Sequence, residues 1–271
     1  MISLLLRIAQ EPPFRLLAYF IVKRFAKSVQ TINRWSAVDR PNYLAGVLAA
    51  ADMAKADGIN ETSVIEFGVA GGGGLVKLQE YAELVEKQTG VKIFVFGFDT
   101  GEGLPVLCND YRDHPDQWKV SDYRMDVSKL QARLTPRTQL YLGKISDTLP
   151  NFIADNHPPV GFVACDVDLY SSTSDVLKIF YSPGKRTLRR VFMYFDDLDF
   201  IFNHRFAGEW LAIDEFNRDH PLVKIDIWRG IKKNRVFHDE QWLEKMFIVH
   251  DLDAINNYTS SRPPSTDCAL D

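Results

Sequence analysis

Val64-Ile65-Glu66-Phe67-Gly68-Val69-Ala70-Gly71-Gly72-Gly73-Gly74-Leu75 decides how this chain reads. A short apolar run ends in an acid and meets five glycines, after which Leu75, Leu78, Leu84 and Val85 fall at helical spacing. The pattern predicts a strand, a tight turn and a helix start, the geometry that brings backbone N–H groups close to a ligand. Four consecutive glycines carry an entropic cost that packing alone does not repay. The competing reading is a flexible turn with no ligand.

The loop lacks the Gly-Lys-Ser/Thr of a phosphate-cradling P-loop, because Leu75-Val76 follow Gly74. It also lacks Gly-x-Gly-x-x-Gly, since Val69-Ala70 follow Gly68. That omission argues against an NAD-linked oxidoreductase. Glu66 at the end of the first strand fits a ligand with an amino group and a ribose. The next apolar run, Lys92–Phe98, ends in Asp99, placed to accept from ribose hydroxyls. Two acids at neighbouring strand ends around a glycine loop mark a nucleoside crevice.

Glu66-Phe67-Gly68-Val69 with Gly72-Gly73 resembles the first motif of class I S-adenosylmethionine (SAM) dependent methyltransferases. Phe98-Asp99-Thr100-Gly101-Glu102-Gly103-Leu104-Pro105 resembles, more narrowly, the second-strand motif of the macrocin O-methyltransferase family, which methylates sugar hydroxyls. The likeness runs from Val64 to Phe216 and more loosely to Asp253. It implies that Glu66, Phe67, Gly68, Val69, Gly72 and Gly73 hold SAM from the first strand, with Asp99, Thr100 and Gly143 from the next two and Asp166 from the fourth. Leu142-Gly143-Lys144-Ile145-Ser146-Asp147-Thr148-Leu149-Pro150 resembles the family's element beside the cofactor, although relatives often carry aromatics at Gly143–Ser146.

Gly161–Thr173 is the sharpest signal. An apolar strand delivers Asp166 to its C-terminal end, where ligands bind in open α/β sheets. The next strand, Val191–Phe195, ends in Asp196-Asp197, two adjacent carboxylates that repel unless a cation sits between them. With Asp166 they make an oxygen-only donor set of the kind hard cations prefer. Asp166-Val167-Asp168-Leu169-Tyr170-Ser171-Ser172-Thr173 closely resembles the macrocin family's fourth-strand motif. The resemblance assigns Asp166, Asp196 and Asp197 as magnesium ligands and sets Asp166, the candidate general base, beside the reacting hydroxyl. Asp168 is expected to pair locally, and Ser171–Thr173 to cap the following helix. Asp199 has no assigned role, Asp214-Glu215 read as a solvated face, and His204 is a candidate for the acceptor site. Catechol methyltransferases resemble this arrangement too, so a phenolic diol acceptor is the alternative to a sugar. A methyltransferase-like domain that binds SAM or a partner without turnover is the non-enzymatic one.

Along the chain, strand and helix patterns alternate. Val64–Phe67, Ile93–Phe98, Gln139–Tyr141, Gly161–Cys165 and Arg190–Phe195 predict a parallel, doubly wound α/β sheet. Val223–Trp228 and Lys245–Val249 read as a hairpin pair at its edge. The resemblance implies seven strands with the last reversed, a Rossmann-like class I methyltransferase fold. Residues 1–57 are expected to form an N-terminal helical extension, 58–259 the methyltransferase domain and 260–271 a disordered tail. A helix from Pro41 through Met53 should cover one sheet edge. Pro105–Asp126, long and aromatic, reads as a lid over cofactor and acceptor.

Phe14–Phe25 reads as a basic amphipathic helix; packing against the main domain or a second subunit is the expected use, and peripheral contact with a membrane surface the alternative. The apolar patches before residue 27 are too short to span a bilayer and are broken by Arg7, Pro12 and Pro13. A net charge of −4 gives no footprint for nucleic acid. Three cysteines without metal-type spacing point to a reducing cytoplasm. The resemblance implies a homo-oligomer.

Overall fold

A computed structural model describes Pro12, residues 14–181 and residues 184–259, apart from the side chain of Lys185. The expected tail 260–271, Cys268 and the patch Ile2–Ala9 lie outside the described residues. The seven strands are β1 (Glu61–Phe67), β2 (Lys92–Asp99), β3 (Thr138–Leu142), β4 (Val160–Cys165), β5 (Thr187–Phe195), β6 (Val223–Ile227) and β7 (Met246–Asp251). They form one sheet in the order β3-β2-β1-β4-β5-β7-β6. The first five are mutually parallel, and β7 runs antiparallel to both β5 and β6. The doubly wound parallel sheet is therefore as the sequence pattern predicts, and the single reversed strand is as the resemblance implies. The order reverses direction at β1 and β4, the topological switch point where such sheets hold ligands.

Both faces of the sheet are covered, which is why its central strands are apolar at nearly every position. Val64, Ala164, Phe192 and Tyr194 face one core with α3 (Pro41–Ala56) and α4 (Gly73–Thr89). Ile65, Phe67, Val163, Met193 and Phe195 face the other, beneath α6 (Ile145–Ala154), α7 (Tyr170–Leu177) and α8 (Gly208–Asp219). The shorter helices are α1 (Phe14–Phe25), α2 (Val29–Arg34), α5 (Val127–Gln131) and α9 (Leu252–Asn256).

The expectation that the helix from Pro41 covers a sheet edge is corrected. It crosses the face over β1, β4 and β5, with Tyr43, Leu44, Val47, Ala50 and Ala51 fully buried. Gly46 and Gly161 make this close approach possible: a Cβ on Gly46 would enter the Phe162 ring, and one on Gly161 would lie 2.7 Å from the Ala50 Cβ.

Helix α1 touches the domain through one side only. Ala18, Tyr19 and Val22 pack against Trp35, Ala37, Val236 and Phe237. Phe14, Leu16, Leu17, Phe20, Ile21 and Phe25 are exposed, and none of its residues is fully buried. No described helix is long and apolar enough to cross a membrane.

Replacing a mid-helix glycine by alanine ordinarily gains up to ~1 kcal/mol of helix propensity. At Gly46 the new methyl meets a ring buried in the sheet, and overpacking costs about 1–3 kcal/mol. Gly46→Ala is therefore expected to lower unfolding stability in urea titrations; unchanged or raised stability would show that α3 is not clamped against Phe162.

Candidate active site

The C-terminal ends of β1, β2, β4 and β5 converge on one cavity of about 530 Å³. Backbone hydrogen bonds set their spacing. The Asp166 N–H donates to the Phe67 carbonyl at 2.9 Å, and the Asp196 N–H to the Cys165 carbonyl at 3.0 Å. Each acid thus steps off its strand leaning toward its neighbour. Gly68 follows Phe67 at φ +83°, and a Cβ there would collide with the Asp166 carbonyl oxygen. Only glycine satisfies both the conformation and the contact.

Gly68, Asp99, Thr100, Gly143 and Asp166 line the cavity, and so do Asp196 and Asp197. Glu66, Phe67, Val69, Gly72 and Gly73 are not among its lining residues. Phe67 instead stacks on Phe98, which stacks on Tyr141, with ring centroids 4.6 and 4.7 Å apart. Glu66 is buried behind the glycine turn, where its Oε1 accepts from the Tyr43 hydroxyl at 2.5 Å and its Oε2 has no partner. Burial raises its carboxyl to about 8, against the lowering pull of the Tyr43 hydroxyl. Asp99 does a different job from the one expected of it alone. Its Oδ2 accepts from the N–H groups of Val69 (2.9 Å) and Ala70 (2.8 Å), and its Oδ1 from Gly101 (2.7 Å). It pins the glycine turn to β2 while still facing the cavity.

The acids at the other wall are crowded. Burial and then the nearby Asp196 and Asp197 push the Asp166 carboxyl up to about 7. Burial and then Asp168 and Asp196 push Asp197 up to about 8. Asp168, at φ +61°, also lines the cavity; its N–H donates to Asp197 Oδ2 at 3.1 Å, and burial with Asp166 lifts it to about 7. Asp196 Oδ1 accepts from the Tyr194 hydroxyl. Among the described residues no three His, Cys, Asp or Glu side chains stand as a metal-holding group. The donor set is nonetheless all oxygen and strongly anionic, which fits a hard divalent cation and disfavours the cluster without one.

Several contributors carry no sequence signal. Glu209 on α8 is fully buried; its Oε2 accepts from the Asp197 N–H at 2.9 Å and its Oε1 has no partner. One acid among 36 Asp and Glu cannot be singled out by spacing. Lys245 reaches the Asp196 carbonyl and Asp199 Oδ1, both at 2.6 Å, giving Asp199 a role in bracing the acid turn. Arg40 lies over the Tyr43 ring, 5.1 Å from its centroid.

The segment 105–126, expected to act as a lid, is held by bonds of its own. The Leu104 and Ser121 backbones pair at its neck, and Leu104, Pro105, Val106, Trp118, Asp122 and Tyr123 line the cavity. Buried Asp113 accepts from the Ser171 N–H and hydroxyl, both at 2.8 Å, at the start of α7. The expectation that Ser171–Thr173 cap that helix is thereby corrected: the cap is a lid carboxylate, favoured by the helix dipole. Glu215 accepts from the Tyr170 hydroxyl at 2.6 Å, whereas Asp214 pairs with Arg205 on the surface. His204 is exposed, stands 5.0 Å from the buried His114 ring, and is not among the cavity-lining residues.

No family model matches the chain, and no curated protein matches it. Among solved structures, the calicheamicin methyltransferase CalS11 is similar at 18% identity with a TM-score of 0.51, covering 81% of this chain and 90% of that one. The O-methyltransferase NovP is 18% identical with a TM-score of 0.48, covering 65% and 71%. An O-methyltransferase from Bacillus cereus, in complex with SAH, is 12% identical with a TM-score of 0.40, covering 86% of each. The likeness to CalS11, together with the strand order, establishes the fold as that of the class I methyltransferases.

The crowded acids set a sign for pH. Carboxyls raised from about 4 when unfolded to about 7 and 8 when folded contribute stability that is whole below pH ~4 and is lost as pH rises through those folded values. Without divalent cation, the melting temperature should fall between about pH 5 and 8, less steeply in Asp197→Asn. A melting temperature flat across that window in both proteins would contradict the crowding.

Proposed function

We propose that this chain is a SAM-dependent, magnesium-dependent O-methyltransferase acting on a hydroxyl of a sugar or glycosylated small molecule. One observation carries the reading. One cavity is lined by Gly68, Ala70, Asp99 and Gly143, at the ends of β1 to β3, and by Asp166, Asp196 and Asp197, at the ends of β4 and β5. The fold shared with a calicheamicin methyltransferase agrees with methyl transfer. Thr100, Ser146, Ser171, Ser172 and Asp175 add hydroxyls and a carboxylate to the lining, donors and acceptors that suit a hydroxyl-rich acceptor. Cys108 and Cys165 are free thiols, in keeping with a reducing cytoplasm.

The SAM sulfonium would supply an activated methyl, and the divalent cation a charge that lowers the acceptor's pKa. The chain's own residues do the rest. Gly68 and the turn behind it keep the backbone low enough for a ligand to approach, with Asp99 fixing that turn. Asp166, Asp196 and Asp197 would hold the cation, Glu209 and Lys245 fixing the backbone of the last two. Asp166, in its ionised form, would take the acceptor's proton as general base, its raised affinity for a proton favouring that transfer. Trp118, Tyr123 and Leu104 exclude water from the reacting atoms.

The test is a mass gain of about 14, CH₃ for H, across a panel of glycosides and nucleotide sugars incubated with SAM and magnesium. Asp196→Asn/Asp197→Asn should cut the rate roughly a hundredfold or more, and EDTA should do the same reversibly. Methyl transfer surviving both treatments would remove the metal from the mechanism; no product with any acceptor and no retention of SAM would remove the activity.

A further inference from the structure

Helix α1 is apolar on nearly every side, yet among the described residues its apolar packing on the domain is through Ala18, Tyr19 and Val22, with Arg15 over the Phe237 ring and Lys23 facing Asp39. Phe20 is 64% exposed and Phe25 71%, and Phe14, Leu17 and Ile21 extend the same face at helical spacing. A soluble domain rarely leaves so continuous an apolar stripe uncovered. The helix is also basic: α1 contains no acid, Arg24 is exposed on the stripe, and Lys23 is exposed beside it, 3.8 Å from Asp39. Residues 1–27 carry five basic side chains against one acid, although the whole chain is net −4. Charge is thus concentrated where the apolar surface is.

We propose that α1 docks this protein on a bilayer containing anionic phospholipid, lying in the interface with its exposed face in the acyl boundary. At 12 residues the helix is about 18 Å long, too short to span a bilayer but suited to lie along one. Arg24 decides between a membrane and a second copy. At 100° per residue it falls near the middle of the exposed face, flanked by Leu17, Phe20 and Ile21. A second copy seated on that face would bring Arg24 against its own counterpart in an apolar interface, which is costly. At a bilayer the same side chain extends along the apolar stripe and sets its charge among phosphates.

Helix α1 has two anchors on the domain. Val236 and Phe237, which anchor α1, lie in the connection between β6 and β7. That connection leaves β6 at Ile227 and enters β7 at Met246, opposite Tyr194 near the end of β5. The chain leaving α1 is tied at Lys27 and Val29 to Gln88, in the last turn of α4, so the helix lies alongside the domain between these two anchors. The docking does not rest on the methyltransferase reading.

The experiment is co-sedimentation of the full chain with vesicles of phosphatidylcholine alone and of phosphatidylcholine mixed with phosphatidylglycerol, alongside sedimentation velocity without lipid. The wild type should pellet with the mixed vesicles and much less with the neutral ones. Phe20→Ser/Ile21→Ser and Lys23→Gln/Arg24→Gln should each lower the partition coefficient about tenfold or more, with melting temperatures unchanged because all four side chains are exposed. Wild type left in the supernatant, equal binding to both vesicle types, or variants that pellet like wild type would each overturn the proposal. So would a lipid-free dimer that Phe20→Ser/Ile21→Ser converts to monomer, since a second copy would then be what covers the face.

Discussion

The site depends on how closely β1, β4 and β5 are spliced at their C-terminal ends. Two backbone hydrogen bonds, from Asp166 to Phe67 and from Asp196 to Cys165, carry the ladder one residue past each strand. They bring an acid from each of two strands to one wall, and the glycine turn to the other. Gly68 is the point where this splice leaves no room: its α-carbon faces the Asp166 carbonyl directly. The burial of Glu66 behind the turn and the bonds from Asp99 to Val69 and Ala70 extend the same constraint sideways. The meeting of the acids with the glycine turn is a consequence of strand register, and Leu104, Trp118 and Tyr123 complete the lining.

The acids at that wall are held against their own repulsion. Asp166, Asp168 and Asp197 are all pushed toward neutrality, with burial the larger cause and one another the next. Folding tolerates this because Lys245, Tyr194 and Glu209 fix the surrounding backbone and one carboxylate oxygen. Such an arrangement is poised to gain stability from a bound cation, which is the usual sign of a site whose function needs the charge.

The parts of this architecture that could be read in the sequence are those written in local pattern. The β1 run, its terminal glycines and the helix after them are contiguous, and so is the apolar strand ending in Asp166. The α3 helix was harder to place, because a helix apolar on all sides says that it is covered but not by what; the Gly46 contact with Phe162 that locks it to the sheet face spans more than a hundred residues of chain. The pairing of Tyr43 with Glu66 and of Asp113 with Ser171 joins residues 23 and 58 apart, so periodicity carries no trace of either. Ser171–Thr173 look like a helix cap in sequence because short hydroxyl side chains are favoured there. A carboxylate arriving from the lid supplies the stronger acceptor and takes the position.

In the proposed mechanism the acids ending β4 and β5 would close around one hard cation. Manganese, a spectroscopic stand-in for magnesium in all-oxygen sites, can be titrated into the full chain and followed by electron paramagnetic resonance. One bound ion per chain is expected in the wild type, competed off by magnesium and lost in Asp166→Asn. Free-ion spectra throughout the titration, or binding that is indifferent to Asp166, would contradict that mechanism.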